Sequence, residues 1–195
     1  NLTSAITCPT KSSKVFAGYF TGTNGSGVQL IDPAGNWIAS AGGNSTYLDG
    51  SKNWKYDNNL NLYACWMEYA STLDFKTEAA KVSPTAISTF LTSGNMVISS
   101  TDNVSWDNAG TGYEGLKIKK SGRKLLLLVE SGKKMSITLG KDNNAKISKN
   151  GGAEADLTKE VTTNFGPMDA DSLFVIRTTS DGAVSVQKIL IEDPC

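Results

Sequence analysis

The sequence predicts an all-β protein, an antiparallel β-sandwich or jelly roll with one short helix. Apolar and polar residues alternate in Leu116-Lys-Ile-Lys119 and in Val184-Ser-Val-Gln-Lys-Ile-Leu-Ile191, the pattern of strands with one solvent-facing side. Turn sequences such as Ser180-Asp-Gly182 separate the strand-like segments at short intervals, as in sandwiches and barrels. Strands do not alternate with helical segments, which disfavours a parallel sheet.

The first half of the chain is predicted to be rich in hairpins. A strand over 14–20 ends at the glycine-rich turn cluster 21–27. Segments 28–31 and 37–39 flank a Pro/Gly turn and are predicted to pair as a hairpin. Residues 41–59 are dense in Gly, Asn, Ser and Asp and are predicted to form a loop.

Residues 60–69 form the most apolar part of this half and are predicted to be a strand. Leu60, Leu62, Ala64 and Trp66 fall on one face of that strand together with Glu68. We expect three or four of them to face the core, Trp66 among them.

The second half is predicted to be a series of strands. The run Leu125-Leu-Leu-Leu-Val129 is too short to cross a bilayer and suits one buried strand. The helix is predicted at 83–91, where Ser83 would cap the first turn and Pro84 would occupy its first position. The predicted strands are 96–99, 116–119, 124–130, 135–139, 145–148, 173–178 and 184–191.

The order of these strands carries a family resemblance over residues 95–192. Gly115-Leu-Lys-Ile-Lys-Lys is followed by Arg123-Lys-Leu-Leu-Leu-Leu-Val-Glu, and the closing strand ends in Lys188-Ile-Leu-Ile-Glu. This order resembles the galactose-binding-like β-sandwich modules of secreted polysaccharide-degrading proteins of the Bacteroidetes. The resemblance implies a carbohydrate-binding role. We expect one sandwich domain over 1–195, with a hairpin-rich portion over 1–75 and a jelly-roll-like portion over 95–192.

Composition excludes several classes of partner. The chain has 19 basic and 19 acidic side chains, so no net charge draws it to nucleic acid. No apolar run approaches the roughly 20 residues that cross a bilayer, so membrane insertion is not expected. The chain starts at Asn1 without Met, which is what removal of a signal peptide would leave, and we expect a secreted or cell-surface protein.

Three cysteines allow one disulfide and leave one thiol over. We expect Cys8 to pair with Cys65, with Cys195 free or joined to another chain, although three unpaired thiols are an equal alternative.

Catalysis is not expected. The chain contains no histidine, which excludes Ser-His-Asp and Cys-His catalysis and histidine-built metal centres. A pair of carboxylates that hydrolyses a glycoside stays open as a third reading. No cofactor is expected, although Asp102, Asn103, Asp107 and Asn108, or Asp169 with Asp171, could hold a structural calcium ion.

Aromatic residues in polar segments are the candidate ligand-binding groups. Exposed rings stack on the apolar face of a pyranose, and neighbouring amides and carboxylates bind its hydroxyls. Trp54 and Trp106 are the strongest candidates because both are predicted to lie in loops. The full set of candidates is Trp37, Trp54, Tyr56, Trp106, Asp107 and Tyr113.

These observations support two functional hypotheses. The first is an extracellular, non-catalytic carbohydrate-binding module that recognises a polysaccharide through its loop aromatics. The second is a structural or adhesive subunit of an extracellular assembly or fibre, which would self-associate through sheet edges.

Overall fold

The computed structural model describes residues 1–39, 44–76, 96–98, 104–107, 115–119, 123–179 and 182–194. The predicted helix at 83–91 lies outside the described residues. The strands are β1 (Val15–Phe20), β2 (Gln29–Ile31), β3 (Tyr63–Met67), β4 (Leu73–Asp74), β5 (Val97–Ile98), β6 (Val104–Asp107), β7 (Gly115–Ile118), β8 (Lys124–Val129), β9 (Lys134–Leu139), β10 (Ala145–Lys149), β11 (Ala155–Leu157), β12 (Thr162–Phe165), β13 (Ser172–Thr178) and β14 (Val184–Glu192). Short 3-10 turns occur at Thr23–Gly25 and Asn44–Thr46.

The strands in the described part of the chain form three sheets, and all named strand pairs are antiparallel. Sheet A has the order β11-β10-β13-β8-β5, and sheet B has the order β12-β9-β14-β7-β6, with β4 also paired to β14. Sheet C, of order β2-β1-β3, comes from the N-terminal part of the chain. The predicted all-β, antiparallel class is confirmed.

The main hydrophobic core lies between sheets A and B. The inward residues of β8 and β13 face those of β7, β9 and β14 there, as alternation along each strand requires. Its best-buried members include Leu125, Leu127, Phe174, Ile137 and Val186, each at most 1% exposed.

A second core lies on the other face of sheet A. Leu126 and Leu128 of β8 and Leu173 of β13 pack there with Ala17 and Phe20 of sheet C. Both faces of β8 are therefore covered, which explains why its sequence is a continuous apolar run instead of an alternating one. The prediction of one buried strand at 125–129 is confirmed.

Strand β3 is oriented opposite to the prediction. Cys65 and Met67 are buried in the second core, whereas Ala64 and Trp66 lie on the other face and are half-buried. An alternating strand has two possible inward faces, and the sulfur-containing residues occupy the inward one here. The expectation that Trp66 belongs to the core is wrong.

The segment after β3 connects all three sheets. Tyr69 forms a parallel bridge with Leu128 of sheet A, and β4 then pairs with β14 of sheet B. The hydroxyl of Tyr69 donates a 2.7 Å hydrogen bond to Asp171 Oδ2, and the Ser131 backbone N–H donates to the other oxygen of that carboxylate at 3.0 Å. This hydrogen bonding fixes the crossing segment against the end of sheet A.

The predicted Cys8–Cys65 disulfide is wrong, because both cysteines are free thiols. Cys65 points into the core between sheets A and C and is 2% exposed. Cys8 lies instead against the turn at 32–35, where its thiol contacts the carbonyl oxygen of Pro33 at 3.6 Å. Cys195 lies outside the described residues.

Alkylation should distinguish the two thiols. Burial raises the pKa of Cys65 to about 11, so at pH 8 very little of it is the reactive thiolate. We expect Cys65 in the folded protein to react roughly 100-fold more slowly than an ordinary thiol and Cys8 to react faster than Cys65. Mass spectrometry of iodoacetamide-treated peptides, with and without urea, measures this. A linked Cys8–Cys65 peptide, or full labelling of Cys65 without urea, would contradict it.

No helix among the described residues has the length and apolar character needed to cross a membrane.

Candidate functional site

The loop between β2 and β3 contains a tightly bonded turn at 49–53. One carboxylate oxygen of Asp49 accepts hydrogen bonds from the backbone N–H groups of Ser51 and Asn53, at 2.8 and 2.9 Å. The other oxygen accepts one from the Asn53 side-chain amide at 2.9 Å. An aspartate whose carboxylate accepts the hydrogen bonds of its own turn in this way makes the loop rigid.

The same turn occurs 17 residues earlier in the chain. Asp32 accepts hydrogen bonds from the backbone N–H groups of Ala34 and Asn36, at 2.9 and 2.8 Å, and from the Asn36 side chain at 3.2 Å. In each turn a tryptophan follows the asparagine and forms an antiparallel bridge with the residue before the aspartate. The chain therefore contains two copies of the sequence [Ile/Leu]-Asp-x-x-x-Asn-Trp, at 31–37 and 48–54.

Both turns bind the N-terminal segment in the same way. The carbonyl oxygen of Gly35 accepts a 2.9 Å hydrogen bond from the Ile6 N–H, and that of Lys52 accepts a 3.0 Å bond from the Leu2 N–H. Gly35 and Lys52 occupy equivalent positions and both have positive φ, 86° and 61°. Glycine takes this conformation without strain, whereas at Lys52 the hydrogen bonding of the turn holds a residue type that rarely adopts it.

The second turn presents a cluster of three aromatic rings. The ring centroids of Tyr47 and Tyr56 are 5.1 Å apart, and Trp54 lies 6.4 and 6.5 Å from them. The indole Nε1–H of Trp54 donates a 2.6 Å hydrogen bond to the carbonyl oxygen of Tyr56, which fixes the orientation of the ring. Trp54 is 40% exposed, and Tyr47 and Tyr56 are half-buried. We call Tyr47, Trp54 and Tyr56 the aromatic surface.

The charged groups near the aromatic surface are held by hydrogen bonds within the loop. The hydrogen bond from the Asn53 backbone N–H, together with that of its side-chain amide, holds the pKa of Asp49 below its usual value. Asp49 is therefore charged at neutral pH, and its oxygens are used inside the turn. The Lys55 ammonium donates a 3.2 Å hydrogen bond to the Ser45 carbonyl oxygen.

The structure brings two of the predicted site residues into ring contact. Trp54 and Tyr56 share the aromatic surface, and Trp37 is half-buried at the equivalent place of the first turn. Trp106 and Asp107 lie in β6, where they pair with Leu116 and Gly115 of β7. The prediction that Trp106 is a loop residue is wrong, because its segment completes the edge of sheet B. Tyr113 lies outside the described residues.

The residues that could hold calcium are not gathered into a larger acidic cluster in the described part of the chain. No group of three or more acidic or cysteine side chains suited to a metal occurs there. Asp171 uses both carboxylate oxygens in the hydrogen bonds to Tyr69 and Ser131. Asp102, Asn103 and Asn108 lie outside the described residues.

Two features of the site escaped sequence reasoning. Tyr47 lies in the predicted loop at 41–59 but is not among the predicted site residues, because nothing local in the sequence places it beside Trp54. The duplicated turn is visible in the sequence as the recurrence of Asp-x-x-x-Asn-Trp at a 17-residue interval.

Comparison with known proteins gives weak structural similarities. No protein-family model matches the chain, and no curated protein matches it. A two-domain esterase (CEX) active on acetylated mannans is similar over 53% of this chain, with 14% identity and a TM-score of 0.39. The matched part is 35% of the esterase, so the chain spans about a third of that protein's length.

Two carbohydrate-binding modules are also similar. The family 35 module from Clostridium thermocellum matches 51% of this chain and 92% of its own, with 14% identity and a TM-score of 0.35. The family 35 module of Cellvibrio japonicus Abf62 matches 48% and 84%, with 13% identity and a TM-score of 0.34. With TM-scores below 0.5, these similarities assign the chain to no family, and its function has to be inferred from the site.

Proposed function

We propose that this protein is a non-catalytic carbohydrate-binding module that binds a polysaccharide at the aromatic surface. The observation that carries the proposal is the state of Trp54, a 40% exposed indole whose orientation is fixed by a hydrogen bond and whose neighbours are two tyrosine rings. Such a role would be performed outside the cell, where polysaccharides are met.

An exposed indole suits a sugar because the C–H face of a pyranose is apolar and flat. Asn53 and Asp57 flank Trp54 and Tyr56 in sequence, and both are exposed. They place hydrogen-bonding groups beside the rings, as a site for a hydroxyl-rich ligand requires.

Rigidity of the site favours binding. The hydrogen bonds of Asp49 and the bond from Trp54 Nε1 to Tyr56 hold the loop and the ring before any ligand arrives. A preformed surface loses little conformational entropy on binding, so a modest contact area still gives measurable affinity.

The second copy of the turn carries a second tryptophan, so we propose that a polysaccharide chain contacts both copies. Trp37 follows a turn with the same hydrogen bonds, bound to the same N-terminal segment four residues further along. Because Trp37 is half-buried, we propose that it contributes less to binding than Trp54 does.

Replacing Trp54 with alanine should weaken glycan binding at least about tenfold, because a central aromatic contact is commonly worth more than ~1.4 kcal/mol. Affinity electrophoresis against a panel of soluble polysaccharides, followed by titration of tryptophan fluorescence with the best ligand, measures the loss. Reducing-end assays on the same mixtures should detect no cleavage products.

Tyr63→Ala is the matched control. Tyr63 is also 40% exposed but lies on β3, outside the aromatic surface. The Tyr63 variant should bind as the unchanged protein does, and circular dichroism should show that both variants are folded. Equal affinity of the Trp54 variant and the unchanged protein, or equal losses in the two variants, would refute this location of the site.

A further inference from the structure

A second candidate site lies between sheet C and the edge strand β5 of sheet A. A cavity of about 390 Å³ opens there, within the size range of ligand pockets. Polar groups come from Lys11, Lys14 and Asn24, and the remaining lining residues are Ala64, Cys65, Trp66, Val97 and Ile98. None of these residues belongs to the aromatic surface.

The charges of the cavity do not cancel. Lys14 forms a 2.7 Å ion pair with Glu68 Oε1, which leaves two of its three N–H donors for another partner. Within the part of the chain that the structure describes, no carboxylate lies within ion-pair distance of Lys11. Among the described residues, two ammonium groups and one carboxylate leave one net positive charge at the cavity.

Trp66 forms part of the apolar side of the cavity. Its ring faces away from the core, with the Lys11 ammonium 5.7 Å from the ring centroid and Phe16 packed at 5.9 Å. Val97 and Ile98 add a half-buried apolar wall. A ligand that fills the cavity meets cationic groups and an apolar surface together.

Cys65 does not alter this charge. It is 2% exposed, and burial raises the pKa of its thiol to about 11, so the group is neutral at pH 7. A neutral thiol neither repels an anion nor supplies a charge to a cation.

We propose that this cavity binds a small carboxylate whose body has an apolar face. The carboxylate takes hydrogen bonds from the Lys11 and Lys14 ammonium groups, and the body of the ligand packs against Trp66, Val97 and Ile98. The Asn24 amide binds a polar substituent where the ligand has one. Two sources share this chemistry, acidic sugars and small aromatic acids.

Isothermal titration calorimetry of the full chain with glucuronate and with benzoate tests the proposal, with glucose, benzyl alcohol and sulfate as comparisons. We expect at least one carboxylate to bind at least about tenfold more tightly than its neutral counterpart, which lacks the charge-assisted hydrogen bonds, and than sulfate, which has no apolar body to pack against Trp66. Tighter binding of glucuronate supports an acidic sugar as the ligand, and tighter binding of benzoate supports an aromatic acid.

Lys11→Met removes the charge while keeping an unbranched apolar side chain and should weaken binding of the carboxylate at least about tenfold. Lys159→Met is the control, because Lys159 is an exposed lysine of the β11–β12 turn. Raising NaCl from 50 to 500 mM should also weaken binding, which gives a test that needs no variant.

The proposal is overturned if neither carboxylate binds, if sulfate binds as tightly as the carboxylates, or if Lys11→Met leaves the affinity within twofold. Trp54→Ala should leave binding in this cavity unchanged. A failure of carboxylate binding in the cavity and a failure of glycan binding at the aromatic surface are therefore separate results.

Discussion

Replacing Phe174 with alanine should lower the free energy of unfolding by about 3–5 kcal/mol. Phe174 is 1% exposed at the centre of β13, opposite Leu127 of β8, and its ring lies 5.2 Å from that of Phe165. Truncation would remove a large buried side chain from the core between sheets A and B. It would also leave a cavity, because neighbouring strands cannot collapse into the space.

Urea unfolding followed by circular dichroism measures this loss. Val161→Ala is the control, because Val161 is 46% exposed and its truncation should change stability by no more than about 0.5 kcal/mol. A loss below about 1 kcal/mol at Phe174 would mean that the two sheets do not pack as described.

Replacing Gly18 with alanine should lower the free energy of unfolding by roughly 3 kcal/mol. Gly18 lies in β1, where the pairing with β3 shifts register, and has a φ of 119° that other residues adopt only with strain of about 1–3 kcal/mol. A methyl group there would also collide with the Ile31 backbone oxygen and lie 2.8 Å from Gln29 Nε2. Ile31 belongs to the neighbouring strand β2, so the collision cannot be relieved without moving β2 away from β1.

Gly132→Ala separates the backbone strain from the steric collision. Gly132 also has a positive φ, 84°, but an added methyl group meets no atom within 4 Å. This variant should lose only about 1–2 kcal/mol, the backbone part of the effect. Equal losses at the two positions would show that the close approach of β1 and β2 is absent.

Strand positions were largely predictable because alternation and turn residues are local signals. The strands at 15–20, 124–129, 172–178 and 184–192 begin and end within one or two residues of the expected bounds. The sequence does not predict strands β11 and β12, since each is short and contains only one large apolar residue, Leu157 and Phe165 respectively. The second arm of the expected hairpin at 37–39 is reduced to the bridge between Ile31 and Trp37.

The candidate site was predictable in part. Large aromatic residues in a polar, glycine-bearing loop are unusual, and this local signal selects Trp54 and Tyr56, whose ring centroids lie 6.5 Å apart in the structure. Trp106 was misplaced because a strand at the edge of a sheet and a loop have similar compositions. Trp66 was misplaced because a period of two leaves open which of two faces is buried. The outcome at β3 depended on sheet A, whose Leu126 and Leu128 cover Cys65 and Met67.

Local sequence was sufficient for the all-β class, for most strands and for the rings at 54 and 56, because each depends on neighbours close in the chain. Long-range packing was needed for the third layer formed by sheet C, for the separation of Cys8 from Cys65 and for the cavity beside Trp66. In these cases residues far apart in sequence compete for the same buried space, and only the packing of complete sheets determines which of them occupies it.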